Sequence, residues 1–401
     1  MERSGARRPR GRAMRQRVSG VVEAIVTERP GAQEVVVRVG DGAPPDLPVR
    51  ASGEEAPQDC PLRPALNLMA LTGRVDVGDQ VLLNTVAVEM GLGTGGLDFV
   101  VAVVGREHSL APPPGHILKM RYTPLQMPVL TVEAPESPHH NAIRQFTSLE
   151  DMPVVCAELH SQLPAICAAA QWALHECGWA SPPRIAYIMT DGAALPLALS
   201  RLVPQMKDKG LLDATITAGQ AFGGDYEAVN LYSALVAAKE VARADMVVVA
   251  QGPGNVGTET ALGFSGIDQG LAINAVDSLG GVPIAVARIS FADPRERHIG
   301  LSHHTATVLR RIARVPALVP IPRLPEKQRR DLMTALEELG ISEKHQPITI
   351  DAYRGLDALE TYGLEVTTMG RSVAEERPFF LAAAAAGLLA AQLAEARAPQ
   401  P

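Results

Sequence analysis

Near the middle of the chain the sequence reads Met246-Val247-Val248-Val249-Ala250-Gln251-Gly252-Pro253-Gly254-Asn255-Val256-Gly257-Thr258. Five apolar residues in a row, with no polar alternation, describe a strand buried on both faces, as strands of a parallel sheet are. The glycines that follow end that strand in a turn. The same texture recurs on both sides: residues 154–157, 185–189 and 214–217 before it, and 284–287, 317–319, 348–350 and 364–367 after it. Apart from the last pair, the strand starts lie about 30 residues apart, the length of a strand-plus-helix unit. The pattern predicts an α/β region over residues 153–396, a mostly parallel sheet flanked by helices. An open doubly wound sheet is favoured over a βα barrel, because the short final interval breaks a regular closure. One helix is legible by spacing: Ile166, Ala169, Ala170, Ala173, Leu174 and Cys177 share a face, with Trp172 and His175 off it.

Before this region the texture is different. Over residues 18–130, short β segments are joined by turns: 21–26 and 34–39 flank Pro30-Gly31, and 81–88 and 99–104 flank the glycine-rich stretch from Gly91 to Gly96. This predicts a small antiparallel β domain ahead of the α/β region. Residues 131–152 read as a linker. Residues 1–17 form a basic tail with seven arginines against Glu2 alone. It fails as a signal peptide, since the following apolar stretch is short and holds Glu23, and it reads as a disordered extension, with Met14 an alternative start.

The bulk numbers set the class. With 401 residues, 46% hydrophobic and 20% charged, the chain is globular and of two-domain size. Its four cysteines form no CxxC pair, which speaks against a zinc ribbon or a thioredoxin-like motif and reads as scattered thiols in a reducing, cytoplasmic compartment. The longest apolar run, residues 379–391, is mostly alanine and falls short of the ~20 residues a bilayer requires, so it predicts a buried helix and no membrane span. The net charge is −7, and with the arginine tail set aside the body is more acidic still, which disfavours a nucleic-acid surface.

The chemistry concentrates after the first five predicted strands. Gly252, Gly254 and Gly257 have the GxGxxG spacing after an apolar strand, and with Asn255 and Thr258 they predict a phosphate or carboxylate cradle at the start of a helix. Pro253 removes a donor, and Asp277 is poorly placed for a ribose, which weakens a dinucleotide reading. Asp191, in Thr190-Asp191-Gly192, and Asp225, in the turn from Phe222 to Glu227, are candidates for a general base or metal ligand; the plainer role for each is a helix cap. The dense run Asp293-Pro294-Arg295-Glu296-Arg297-His298, continued by Ser302-His303-His304-Thr305, supplies Arg295 and Arg297 to neutralise an anion and His298 and His303 to move protons. Adjacent His303 and His304 leave a helix ~100° apart, which argues against their sharing an ion; the alternative is Ser302 as a cap with exposed histidines behind it. No nucleophile elbow or Walker A loop is present. These residues predict a soluble protein that binds a small anionic metabolite, phosphorylated or nucleotide-like, at strand carboxyl ends. Hydrolysis or group transfer is favoured over hydride transfer, and a non-catalytic sensor or interaction protein is the alternative. Cofactor, metal and homo-oligomeric state stay open.

Several segments resemble an uncharacterised bacterial family, the domain of unknown function numbered 3866. They are Gly115-His-Ile-Leu-Lys-Met-Arg-Tyr-Thr-Pro-Leu-Gln126, Thr190-Asp-Gly-Ala-Ala-Leu-Pro196, Ala221-Phe-Gly-Gly-Asp-Tyr-Glu-Ala-Val-Asn230, Gly252 to Thr258 with Gly263-Phe-Ser-Gly266, and Arg288-Ile-Ser-Phe-Ala-Asp-Pro-Arg-Glu-Arg-His298. The resemblance covers nearly the whole chain after the tail. It implies a bacterial soluble protein and supplies no catalytic residue.

Overall fold

A computed structural model of the chain describes residues 16–40, 61–92, 95–107, 115–176 and 183–397. Most of the arginine tail, the centre of the Gly91–Gly96 loop, and Cys60 and Cys177 lie outside them. The chain divides into two compact units between residues 111 and 112.

The first unit runs β1 (Arg17–Arg29), β2 (Ala32–Val39), β3 (Leu62–Leu68), α1 (Met69–Thr72), β4 (Gln80–Asn84), α2 (Val86–Glu89) and β5 (Asp98–Val103). The strands close on themselves in the order β1-β2-β3-β5-β4. Closure needs β1 to pair with β2 along one length and β4 along another, and two register shifts, between Val22 and Ala24 and between Ile25 and Thr27, supply the bend. Alternation along β2 sends Val35, Val37 and Val39 inward, where they meet Val22, Val81 and Leu83.

The second unit opens with the hairpin β6 (Ile117–Lys119) and β7 (Met127–Val129), then α3 (His140–Arg144), β8 (Pro153–Cys156), α4 (Leu163–Glu176), β9 (Ile185–Thr190), α5 (Leu202–Asp208), β10 (Ala214–Ala218), β11 (Tyr226–Ala228) and α6 (Leu231–Glu240). It continues through β12 (Met246–Gln251), α7 (Asp268–Ser278), β13 (Val282–Ala285), β14 (Ile289–Ser290), β15 (Gly300–Leu301), α8 (His303–Thr307), β16 (Leu318–Pro322), α9 (Glu326–Glu338) and α10 (Ile341–Lys344). It closes with β17 (Gln346–Ile350), α11 (Tyr353–Thr361), β18 (Thr367–Thr368), β19 (Arg371–Ser372) and α12 (Arg377–Arg397).

Eight strands form one parallel sheet in the order β11-β10-β9-β12-β8-β13-β16-β17. Helices α4, α11 and α12 pack together as one layer against it, and α6 and α7 pack on β8, β9, β10, β12 and β13. Every residue of β8 and β12 is buried, as continuous apolar runs between helix layers require.

Three expectations change. Residues 364–367 do not supply the eighth strand; only Thr367 and Thr368 are extended, in the small hairpin β18–β19. The eighth strand is β11, whose Tyr-Glu-Ala is too short and too polar to carry a periodic signal. Residues 112–130, grouped above with the β-rich region, belong to the second unit, and the segment taken as a linker contains α3. Lys119 of β6 shows why: its buried Nζ donates to the carbonyls of Thr217, Ala221 and Ala228 at 3.0, 2.7 and 3.1 Å and pairs with Glu227 at 3.1 Å, fastening the hairpin to the β10–β11 edge. The single-faced α4 is instead buried from Leu163 through Gln171 on nearly all sides, because α12 covers what the sheet does not. Among the described residues α12 alone has the length and composition to cross a membrane, yet Phe379 through Ala391 are buried within the protein.

Candidate functional site

In the sheet β8 lies between β12 and β13, and the connection from β8 runs past β12 to β9 while that from β12 runs past β8 to β13. The loops at the carboxyl ends of these three strands therefore leave in opposite directions and part over the middle of the sheet. Glu158 follows β8, the glycine loop follows β12, and Arg288 follows β13.

Glu158 is wholly buried. It fits because residue 266 is glycine: a Cβ there would stand 2.5 Å from Glu158 Cγ. Glu158 Oε1 accepts from His304 Nδ1 at 2.6 Å and from Arg288 and Asn255 at 3.4 Å, while Oε2 has no partner among the described residues. Burial alone would push this carboxyl up, but the His304 hydrogen bond and the Arg288 charge outweigh it and hold it below the ordinary value. With Nδ1 turned to the carboxylate, Nε2 is the other polar atom of the His304 ring. Its ring is fixed by Phe264, stacked 3.9 Å away and 5° from parallel.

Two more imidazoles converge on this one. Ser302, the N-cap of α8, accepts from the His304 backbone N–H at 3.2 Å, and its hydroxyl pairs with His298 Nδ1 at 2.8 Å. His303, the first residue of α8, is half-buried, and its Nε2 has no partner among the described residues. Ring centroids lie 4.9 Å apart for His298–His303, 5.0 Å for His298–His304 and 4.4 Å for His303–His304. One ring nitrogen from each lies within 4.8 Å of the other two. The expected divergence of His303 and His304 thus fails: a helical offset sets only the Cβ directions, and the side-chain torsions bring the rings back together. Ser302 does cap, but the histidines behind it are not on the surface. Burial, followed by the nearby charges of Arg288 and Arg295, lowers the His298 pKa to about 3, and burial followed by the charges of His304 and Arg297 lowers that of His303.

Around the imidazoles runs a network of arginines, each facing a carboxylate. Arg288 lies 3.4 Å from Glu158 and 3.5 Å from Asp293; Arg295 forks onto Asp293 with two bonds of 2.8 Å; Arg371 reaches Asp293 at 3.3 Å and Glu376 at 2.6 Å; Arg297 meets the exposed Glu259 at 3.1 Å. The Arg295 fork holds the Asp293 carboxyl far below the usual carboxylate range. Arg297 Nε has no partner among the described residues. The three imidazoles, Arg288, Arg295, Arg297 and Glu259 line a small cleft of about 90 Å³ with Asn255, Val256, Gly257 and Met369.

Of the residues singled out in the sequence, His298, His303, Asn255, Gly257, Arg295 and Arg297 line this cleft; Asp191, Asp225, Gly252, Gly254 and Thr258 do not. Asp225 is neither a base in the cleft nor a helix cap: it pairs with Lys207 at 2.5 Å and accepts from the backbone and hydroxyl of Thr215, tying the β11 turn to β10. The cap of the following helix is Asn230. Asp191 accepts from the Gln220 backbone N–H at 2.8 Å in the turn after β10. The glycine loop does not run into a helix start, as a dinucleotide fingerprint requires. Gly257 bridges back to Phe264, and the Thr258 amide donates to Gly263, closing an irregular loop ahead of α7. Gly252 serves packing, since a Cβ there would stand 2.5 Å from the Ala194 carbonyl. Asn255 accepts from Gln251 and Ser265 and holds the loop against Glu158.

The sequence reading gave Glu158 and Arg288 no role, and it weighed His304 only to set it aside as a partner of His303. Glu158 and Arg288 each follow directly on a predicted strand, the same signal that drew attention to Asp191. No curated protein and no solved structure matches the chain. A family model described as a protein of unknown function, DUF3866, matches residues 64–387, and the chain belongs to that family.

Proposed function

We propose that the protein binds a small anionic metabolite, phosphorylated or nucleotide-like, in the cleft above β12, β8 and β13, and acts on it by hydrolysis or group transfer. The observation that carries this reading is Arg297 Nε, a donor with no partner among the described residues, at a cleft that three imidazoles also line. Arg288 and Arg295 are committed to Glu158 and Asp293 and set the local field, whereas Arg297, held only by an exposed carboxylate, is the arginine able to move onto a ligand. Val256 and Met369, 63% and 62% exposed, offer contact for an apolar part of the ligand. We read the sheet as open and doubly wound, with β11 and β17 as its edges and the cleft at the point where the connections change direction.

A binding role without turnover is the second reading. It is favoured by the position of Asp191 and Asp225, the carboxylates offered as bases, outside the cleft.

Thermal unfolding with a panel of nucleotides, sugar phosphates and inorganic phosphate tests the proposal. A ligand at a hundred times its Kd adds about 2.7 kcal/mol of stability. Arg297→Ala should lower the resting stability by less than ~1 kcal/mol, as expected for an exposed ion pair, yet abolish the ligand's shift. Stabilisation by no anion would overturn the anionic ligand, and an unchanged shift in Arg297→Ala would remove that residue from the site.

A further inference from the structure

We infer that His298, His303 and His304 bind one divalent first-row transition metal ion of the zinc type. The inference is independent of the anionic ligand proposed above, since it rests on the three imidazoles and their supports alone.

Three ring nitrogens within 4.8 Å of one another can all reach a single ion at the ~2.0–2.1 Å of a zinc–imidazole bond with small side-chain adjustments. The hydrogen bonds show which nitrogens are already engaged. Nδ1 of His298 is engaged by Ser302 and Nδ1 of His304 by Glu158, so Nε2 of each is the one left to ligate. His303 Nε2 is buried with no partner among the described residues, and a buried polar atom left so costs free energy unless a ligand or water completes it. The Glu158–His304 pair is the carboxylate–histidine support that orients ligating imidazoles and strengthens them as donors. Gly266 makes room for that carboxylate and Phe264 locks the ring it supports.

The donor set also selects the ion. Three neutral nitrogens suit zinc, cobalt, nickel or copper, whereas magnesium and calcium call for oxygen ligands. Three protein ligands leave a coordination position open, the arrangement of catalytic rather than structural zinc. Charge completes the argument. Each arginine of the network already faces a carboxylate, so a divalent ion would bring to the cleft the positive charge that an anion would answer.

The test uses the full chain, stripped with a chelator and titrated with Zn2+ against a chromophoric competitor, with Co2+ absorption as a second readout. One equivalent should bind to the wild type, and His303→Asn and His298→Asn should each weaken it at least 100-fold. Circular dichroism should show His303→Asn, at the half-buried position, still folded, so its result decides if His298→Asn does not fold. Glu158→Gln, altering a positioning residue, should weaken binding about 10- to 100-fold. Less than one equivalent in the wild type, or one equivalent held undiminished by His303→Asn, would overturn the site. Inorganic phosphate added with and without Zn2+ separates the two proposals. Zinc binding without a phosphate effect keeps the metal site and counts against the anion, while phosphate stabilisation of a chain that binds no zinc does the reverse.

Discussion

His160 sits two residues beyond Glu158 and faces a different environment. It is buried, with Nε2 2.8 Å from the Ser200 hydroxyl and Nδ1 3.1 Å from the Tyr187 hydroxyl, and no carboxylate is among these partners. Burial lowers its pKa to about 4, against ~6.5 in an unfolded chain. Between those values the unfolded chain takes up a proton that the folded one refuses, so His160 stabilises the fold fully above pH ~6.5 and progressively less as the pH falls toward 4, by about 3 kcal/mol in all. His298, His303 and His345, also lowered, act in the same direction. His160→Gln should therefore leave an acid-side slope that is shallower by up to one proton, ~1.4 kcal/mol per pH unit, in denaturant titrations of the metal-free chain between pH 6.5 and 5. An unchanged slope would mean that the folded protein protonates His160 as readily as the unfolded one. Contrasts of this kind are what the sequence conceals. Asp225 and Glu158 are both carboxylates in loops that follow a strand, but only the fold shows that Lys207 and Thr215 occupy the first while His304 and Arg288 occupy the second. The density of histidine and arginine from 293 to 305 was legible, because residues so close in sequence cannot be far apart in space. Their meeting with Glu158, at a separation of 146 residues for His304, was not.

Among the elements, α4 and α12 show how small residues set a distance. A Cβ on Gly387 would fall on the carbonyl oxygen of Ile166, a backbone atom that cannot rotate aside, whereas one on Gly355 would meet Ala169 and Leu388 side chains at 3.1 to 3.2 Å. In an exposed helix, alanine is better than glycine by about 1 kcal/mol. At 387 the steric term is larger and opposite, of the order of the 1–3 kcal/mol typical of overpacking, since α12 must retreat from α4. Gly387→Ala should thus lower the melting temperature, and Gly355→Ala should change it much less; a Gly387→Ala protein more stable than wild type would contradict the close approach. The same pair marks how far periodicity carries. Spacing correctly placed a helix around Ile166, but it did not show what the apolar stripe packs on: Ala169, on the stripe, faces Gly355 of α11, and α12 is pressed against the same helix. Strands followed the same rule. The fully apolar β12 was plain, and the three-residue β11 was not, because an edge strand is held by backbone ladder bonds that any sequence can make.

At the scale of the whole molecule, the two units have separate cores: a valine-rich set inside the closed β sheet, and a far larger one between the helix layers and the eight-stranded sheet. A fragment spanning 112–401 should accordingly fold by itself and unfold in one cooperative thermal transition by circular dichroism; a broad, sloping melt would show that its core is incomplete. The change from turn-rich β texture to apolar runs was visible in the sequence, but the boundary was placed late because β6 and β7 look like more of the first texture. What assigns them to the second unit is Lys119, and that residue also sets a schedule. Its acceptors lie 98 to 109 residues further along the chain. At ordinary elongation rates of about 5–20 residues per second, they emerge roughly 5 to 20 seconds after Lys119 itself. For that interval the ammonium group has only water to bind, and the β6–β7 hairpin has no edge to dock on. The segment that begins the unit in sequence is thus secured only after β8, β9 and β10, which follow it, have been made.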